Sequence, residues 1–243
     1  MTNHLKLLTG KNIGTYRNEN NLSELYLYGP VGNIFDADCI TATNVKKELD
    51  NMDSKEVTIH IHSYGGDAFE GIAVYNVLKQ SNKQLTVFID GIAASAASII
   101  AMAGDKIKMP KNTQIMIHNA ATGLFGNAKD FAIVKEQLES TNESLKTTYR
   151  DRFNGTEDQL KQFMADETFF SAEQALKYGL VDEVLSYESE PLTRGNEKVP
   201  QNKSTEFMDE RTIKITKQVL EERTQRFAAF VNALNKAFGN GRK

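Results

Sequence analysis

The chain has 243 residues and is poor in several features that would indicate a secreted protein. It holds one cysteine, Cys39, so no internal disulfide can form. Such a low cysteine content is typical of a reducing compartment. Residues 1–6 (MTNHLK) also lack the apolar core of a secretory signal. We therefore expect a cytoplasmic protein.

Long apolar runs and an excess of positive charge are missing as well. The uncharged run Gly91–Gly104 is rich in Ala and Ser and spans 14 residues, whereas a membrane-spanning helix needs about 20 apolar residues. The net charge is −3, from 29 basic and 32 acidic residues, which gives no electrostatic reason to expect nucleic acid as a partner. His60 and His62 share one strand face, but no carboxylate or thiol cluster completes a metal site there. We expect no membrane span, no nucleic acid and no metal.

Runs typical of strands and helices alternate along most of the chain, which predicts an α/β fold with a mostly parallel sheet. The predicted strands are Glu24–Tyr28, Val57–His62, Leu85–Asp90, Lys106–Met109 and Gln114–Ile117. The predicted helices are Asp36–Leu49, Asp67–Gln80, Ser95–Ala103, Asn127–Arg152 and Ser171–Tyr178.

The composition changes near residue 186. Two of the four prolines, Pro191 and Pro200, lie in the stretch 186–205, which has few apolar residues and is predicted to be a linker. Beyond it, apolar residues recur at spacings of three, four and seven from Ile213 to Phe238. This pattern predicts an amphipathic C-terminal helix.

Three short clusters follow predicted strands, where a cleft could form. The pair Gly65–Gly66 turns the chain from a strand into a helix, Ser95 stands between alanines at a helix start, and His118 ends a strand. Each has an ordinary structural explanation: a tight turn, a helix N-cap and a packed histidine. Together they supply a nucleophile, a base and backbone N–H donors, which acyl transfer requires.

Four blocks of sequence, in this order, resemble the Clp-type serine peptidase subunit, and especially its phage and prophage head-maturation branch. The blocks are Ser63–Gly66, Gly91–Ser95, Met116–His118 and Phe170–Asp182. The resemblance implies the superhelix of β-β-α repeats shared by Clp peptidases and the crotonase (enoyl-CoA hydratase) fold. It also implies four segments: an N-terminal segment (1–21), the peptidase domain (22–186), a linker (187–205) and a helical tail (206–243).

The resemblance implies a serine endopeptidase with a Ser-His-acid triad. Ser95 matches the nucleophile and His118 the general base. The family's acid falls at Glu167, where Glu replaces the usual Asp, and the adjacent Asp166 is an alternative. No cofactor is implied.

Backbone N–H groups of Gly66 and Ala96 match the family's oxyanion donors. Tyr64 stands where the family commonly has proline, which would fix φ. The stretch Ala120–Lys129 matches the segment that pairs with substrate backbone.

The resemblance also implies partners: a homo-oligomeric ring, a heptamer or double heptamer, and a protein substrate, which in the phage branch is a capsid or scaffold protein. The chain has no phosphate-binding loop of its own, so any ATPase is a separate protein. The alternatives are a general degradative peptidase working with such an ATPase and a catalytically silent shell protein. A hydratase using the same superhelix is disfavoured by the Ser-His pair. The tail could dock on substrate, be removed by self-cleavage or pack on a neighbouring subunit.

Overall fold

The computed structural model describes residues 13–17, 23–32 and 39–186. The predicted linker (187–205) and helical tail (206–243) lie outside the described residues, as does most of the N-terminal segment (1–21). Within the described part, no helix is long and apolar enough to cross a membrane.

Eight strands and six helices make up the described part of the chain. The strands are β1 (Ile13–Arg17), β2 (Ser23–Tyr28), β3 (Glu56–Ser63), β4 (Gln84–Ala94), β5 (Lys106–Pro110), β6 (Gln114–Ile117), β7 (Thr168–Ser171) and β8 (Glu183–Leu185). The helices are α1 (Ala42–Asp50), α2 (Ala68–Lys79), α3 (Ala96–Ala101), α4 (Ala128–Arg150), α5 (Glu157–Ala165) and α6 (Ala172–Lys177).

The sheet is mostly parallel, as the alternating pattern predicts. Its main order is β1-β2-β3-β4-β5-β8, in which only the β1–β2 pair is antiparallel. The long strand β4 has two partners: Thr86–Phe88 pairs with β5, and Ile92–Ala94 pairs in parallel with β6. Strand β7 then pairs antiparallel with β6. The carboxyl ends of β4 and β6 therefore lie side by side.

The core lies on one face of the sheet, because alternate residues of each strand point to the same side. Leu25, Ile59, Val87 and Ile107 are almost fully buried, one on each of β2 to β5. Helix α3 is made of small and β-branched residues and is buried throughout. Such small side chains allow the neighbouring helix α2 to approach closely, and a Cβ at Gly71 would lie 2.9 Å from the Ala96 Cβ.

Two predicted boundaries were wrong. Residues 36–38 of the helix predicted at Asp36–Leu49 lie outside the described residues, and the described helix begins at Ala42. Its N-cap is Thr41, whose side chain accepts a hydrogen bond from the Asn44 N–H. Ile40 cannot be helical, because it forms a β-bridge with Val31. The strand predicted to end at Asp90 continues to Ala94, since backbone pairing with β6 extends it.

Four elements had no sequence prediction: β1, α5, β7 and β8. Helix α5 carried a usable signal, since Thr156 and Gln159 form a capping box at its start. The three strands are short, and their positions depend on the strands beside them.

Candidate active site

Ser95 lies at the junction of β4 and α3 in an unusual backbone conformation. Its φ is 56° and its ψ is −127°, a region that residues with a Cβ rarely adopt. Its N–H donates to the Met116 carbonyl at 2.9 Å, which ties the junction to β6. Its side chain makes no capping hydrogen bond to the helix, so Ser95 is not an ordinary N-cap. Strain of this kind collects at functional sites.

His118 follows the last residue of β6 and faces Ser95. The Nε2 atom of His118 lies 2.6 Å from the Ser95 Oγ, within hydrogen-bond distance. Both residues are partly exposed, so a substrate can reach them. Parallel pairing of β4 with β6 places these side chains together although they are 23 positions apart in sequence. A nucleophile and a base in contact are the first requirement for serine catalysis.

The two candidate acids differ in their surroundings. Ile117 pairs with Thr168 in the antiparallel β6–β7 ladder. Continuing this register by one residue sets His118, just after β6, opposite Glu167, just before β7. Asp166 instead accepts hydrogen bonds from Gln162 Nε2 at 2.9 and 2.8 Å on its two carboxylate oxygens. In residues 23–32 and 39–186, no hydrogen bond or ion pair joins His118 to a carboxylate. Glu167 is exposed and has a φ of 50°.

The Gly65–Gly66 turn packs directly against the nucleophile. Gly65 has a φ of 90°, and a Cβ there would lie 2.7 Å from the Ser95 Cβ and 2.9 Å from the Ala96 nitrogen. The turn is anchored to Val31, whose N–H donates to the Gly65 carbonyl at 2.9 Å. The backbones of Gly66 and Ala96 thus border the same space as Ser95.

Ser63 begins one of the four blocks of resemblance but was given no role in the sequence, yet its side chain fixes this turn. It is 1% exposed, donates to the Gly29 carbonyl at 2.6 Å and accepts from the Gly65 N–H at 3.0 Å. These bonds restrain the backbone on both sides of Tyr64, the position at which the resemblance implies a proline. Tyr64 itself is 77% exposed and plays no part in the anchor.

A cleft of about 370 Å³ opens beside the Ser95–His118 pair. Its walls are mostly apolar and include Phe69, Ile99, Leu138, Leu145 and Tyr149. A cleft with this lining accepts an apolar side chain better than a charged one. Of these residues, Phe69 is largely exposed at the rim and Tyr149 is buried.

The histidines of β3 form a separate cluster. His60 Nδ1 lies 2.9 Å from Asp90 Oδ2, and the Tyr28 hydroxyl donates to the same oxygen at 2.6 Å. Burial, followed by the hydrogen bond to Asp90, raises the pKa of Tyr28. Within the described ranges, no group of three or more His, Cys, Asp or Glu residues is arranged to hold a metal ion.

Comparison with known proteins points to one family. A sequence model of the Clp protease family matches residues 25–188. The chain is 31% identical over 163 residues to the ATP-dependent Clp protease proteolytic subunit of Deinococcus radiodurans, covering 64% of this chain and 78% of that protein. It is 29% identical over 154 residues to the subunit of the same name from Bacteroides fragilis, covering 61% and 74%.

The fold agrees with a solved structure as well. A point mutant of ClpP1 from Listeria monocytogenes superposes with a TM-score of 0.57 at 23% identity, covering 66% of this chain and 90% of that one. The family match spans most of the described residues, including Ser95 and His118. The chain therefore belongs to the Clp protease family, a family of serine-type peptidases.

Proposed function

We propose that this chain is a serine endopeptidase that hydrolyses peptide bonds through an acyl-enzyme. The observation that carries the proposal is the 2.6 Å contact between the Ser95 Oγ and the His118 Nε2. Ser95 is the nucleophile and His118 the general base. In a silent shell protein, Ser95 would serve only to cap helix α3. The Ser95 side chain makes no capping hydrogen bond to that helix, which argues against this alternative.

The reaction follows from these positions. The Ser95 Oγ attacks the substrate carbonyl carbon while its proton passes to the His118 Nε2. The tetrahedral intermediate collapses as the C–N bond breaks, and His118 returns the proton to the leaving amine. Water then attacks the ester by the same route and releases Ser95. Every step uses groups of the chain, the substrate or water, so the proposal includes no cofactor.

We assign oxyanion stabilisation to the backbone N–H groups of Gly66 and Ala96. This assignment is supported by the close packing of the Gly65–Gly66 turn on Ser95 and Ala96. Donors fixed before the reaction lose little energy to reorganisation, and one such donor is worth about 10²- to 10³-fold in kcat.

Substrate binding combines the cleft with the segment that follows His118. Residues 119–127 lie outside regular secondary structure, and Ala120 and Ala121 line the cleft. We propose that an extended substrate pairs its backbone with residues 120–127 and places an apolar side chain in the cleft. The last two residues of the predicted stretch Ala120–Lys129 are not available for this pairing, because they belong to helix α4.

We further propose that the natural substrate is a phage capsid or scaffold protein, cut during head maturation by a homo-oligomeric ring of seven subunits or two such rings. Its support is the resemblance to the head-maturation branch, with a linker (187–205) and tail (206–243) appended to the peptidase domain (22–186). The competing candidate is a general degradative peptidase working with a separate ATPase. That candidate is favoured by the relatives, which are named ATP-dependent proteolytic subunits.

Co-expression separates these functions. The full chain or its Ser95→Ala variant is produced with the capsid and scaffold precursors of the virus or prophage that encodes it. We expect the wild type alone to shorten a precursor, without an ATPase, as measured by intact mass. Degradation of unfolded casein only when a Clp ATPase and ATP are added would favour the degradative candidate. No cleavage under either condition would favour the shell protein.

The choice of acid is tested by a matched pair of isosteric variants. We expect Glu167→Gln to lower kcat by about 10- to 100-fold. This is a smaller loss than in serine peptidases whose triad acid is buried against the imidazole. Asp166→Asn should change kcat less than about twofold, because the Asp166 carboxylate is bonded to Gln162. Peptide hydrolysis at saturating substrate measures both effects. A loss confined to Asp166→Asn would transfer the role to Asp166.

A further inference from the structure

A buried pair of hydroxyl groups, on Ser98 and Tyr149, lies behind the nucleophile. Ser98, on the first turn of α3, has no exposed surface, and Tyr149, near the end of α4, is 1% exposed. Their hydroxyl oxygens are 2.7 Å apart. The Ser98 hydroxyl also donates to the Ser95 carbonyl at 2.6 Å. Tyr149 lines the cleft beside Ser95 and His118.

The direction of these hydrogen bonds is fixed by proton count. Ser98 has one hydroxyl proton, which it gives to the Ser95 carbonyl, so Tyr149 is the donor in the Tyr149–Ser98 bond. Burial raises the pKa of Tyr149, which keeps its phenol protonated. The chain of bonds therefore runs from Tyr149 to Ser98 to the Ser95 carbonyl. Hydrogen bonds arranged head to tail strengthen one another.

The Ser95 carbonyl belongs to the same peptide group as the Ala96 N–H. The described chain contains no cis peptide bond, so this carbonyl and N–H point in opposite directions in one plane. Holding the carbonyl therefore fixes the direction of the N–H. A hydrogen bond to the carbonyl also polarises the amide and makes its N–H a stronger donor.

We infer that Tyr149 and Ser98 are positioning residues that orient and strengthen the Ala96 N–H as an oxyanion donor. The inference rests on the proposed function, since it needs an oxyanion at this site. Ser95 O also accepts backbone bonds from Ser98 N at 2.9 Å and from Ile99 N at 3.4 Å. The hydrogen bond from the Ser98 hydroxyl to the Ser95 carbonyl adds to these two. Its removal therefore weakens the Ala96 N–H as an oxyanion donor without abolishing it.

The test uses Ser98→Ala, Tyr149→Phe and the double variant, with a fluorogenic peptide that has an apolar residue before the scissile bond. We expect kcat to fall by about tenfold in Ser98→Ala and about threefold in Tyr149→Phe, since the loss of one full donor costs about 10²-fold or more. KM should stay within about twofold of the wild-type value, because each substitution removes only a hydroxyl group and leaves the rest of the side chain in place. The double variant should match Ser98→Ala, because Tyr149 acts through Ser98.

A structural role predicts a different pattern. Ser98→Ala leaves the buried Tyr149 hydroxyl without its partner and lowers the melting temperature, and the double variant recovers it, because both polar groups are then gone. We expect the melting temperature to recover in the double variant while kcat does not. Recovery of kcat along with stability would overturn the inference.

A peptide boronate that forms a tetrahedral adduct on Ser95 gives an independent measurement. Its inhibition constant should rise by the same factor by which kcat/KM falls. Tyr75→Phe is the matched control, since Tyr75 is half-buried on α2 and does not line the cleft. If the wild type hydrolyses the peptide and Ser98→Ala and Tyr149→Phe keep its kcat, the inference is overturned while the proposed function stands. A wild type that neither hydrolyses the peptide nor binds the boronate would overturn the proposed function and this inference with it.

Discussion

Replacing His118 by alanine is expected to lower kcat for peptide hydrolysis by about 10⁴- to 10⁶-fold, as in serine peptidases that lose their general base. The physical reason for this loss is that one contact activates the nucleophile. In it, the His118 Nε2 lies 2.6 Å from the Ser95 Oγ. Among residues 23–32 and 39–186, the Ser95 Oγ has no hydrogen-bond partner other than this imidazole, so its loss removes the base that takes up the serine proton. Activity is measured with the fluorogenic peptide at saturating concentration.

The two residues are expected to act as a unit. Ser95→Ala/His118→Ala should be no slower than either single variant, because each change alone removes the same proton transfer. A fluorophosphonate probe, which reacts with activated serines, should label Ser95 in the wild type and leave His118→Ala unlabelled, as read by peptide mass spectrometry.

His62→Ala is the matched control for loss of an imidazole. His62 lies one strand away on β3, is exposed and does not line the cleft. We expect it to be labelled at the wild-type rate. Labelling of Ser95 in His118→Ala at that same rate would refute the role of His118 as base.

The general architecture was predictable because it depends on local patterns. Alternating strand and helix runs predicted the α/β fold, and strands such as Glu24–Tyr28 were located within one residue of the observed β2. Ser95 and His118 could be chosen because each follows a strand end, where parallel strands bring side chains to a common edge. Their contact itself depends on β4 pairing with β6, which is a tertiary event.

The missed features depend on residues far apart in sequence. Gly91–Ala94 extends β4 through backbone pairing, and its residues, all small except Ile92, carry no alternating pattern. Ser98 and Tyr149 are 51 positions apart, and each alone resembles an ordinary helical residue. Glu167 was named from the family resemblance, and its position opposite His118 depends on the register of the β6–β7 ladder, which joins distant segments. None of these is a local property of the chain.

Gly65→Ala is expected to damage both stability and catalysis. Gly65 has a φ of 90°, and an added Cβ would lie 2.5 Å from the Ala94 carbonyl oxygen and 2.7 Å from the Ser95 Cβ. The carbonyl oxygen belongs to the backbone and cannot rotate away. The turn must therefore move off Ser95 and carry the Gly66 N–H with it. We expect kcat/KM to fall by about 10²- to 10³-fold, the effect of losing one oxyanion donor.

The strain itself should also lower the free energy of unfolding by about 1–3 kcal/mol. Gly179→Ala separates that strain from the effect on the site. Gly179 has a φ of 75°, and a Cβ there would lie 2.5 Å from the Arg152 carbonyl oxygen, a comparable clash. It follows α6 and does not line the cleft. Both variants are compared by thermal unfolding and by hydrolysis per folded subunit.

We expect Gly179→Ala to lose stability and keep its kcat, whereas Gly65→Ala loses both. That contrast would locate the catalytic loss in the turn that packs on Ser95. Both variants press a Cβ at positive φ against a backbone carbonyl oxygen, but only Gly65 also packs on Ser95 and Ala96. A Gly65→Ala enzyme with wild-type kcat would show that the Gly66 N–H is not needed at the oxyanion. Stabilisation would then rest on Ala96, and the positioning of its N–H by Ser98 and Tyr149 would have to account for a larger share of the rate.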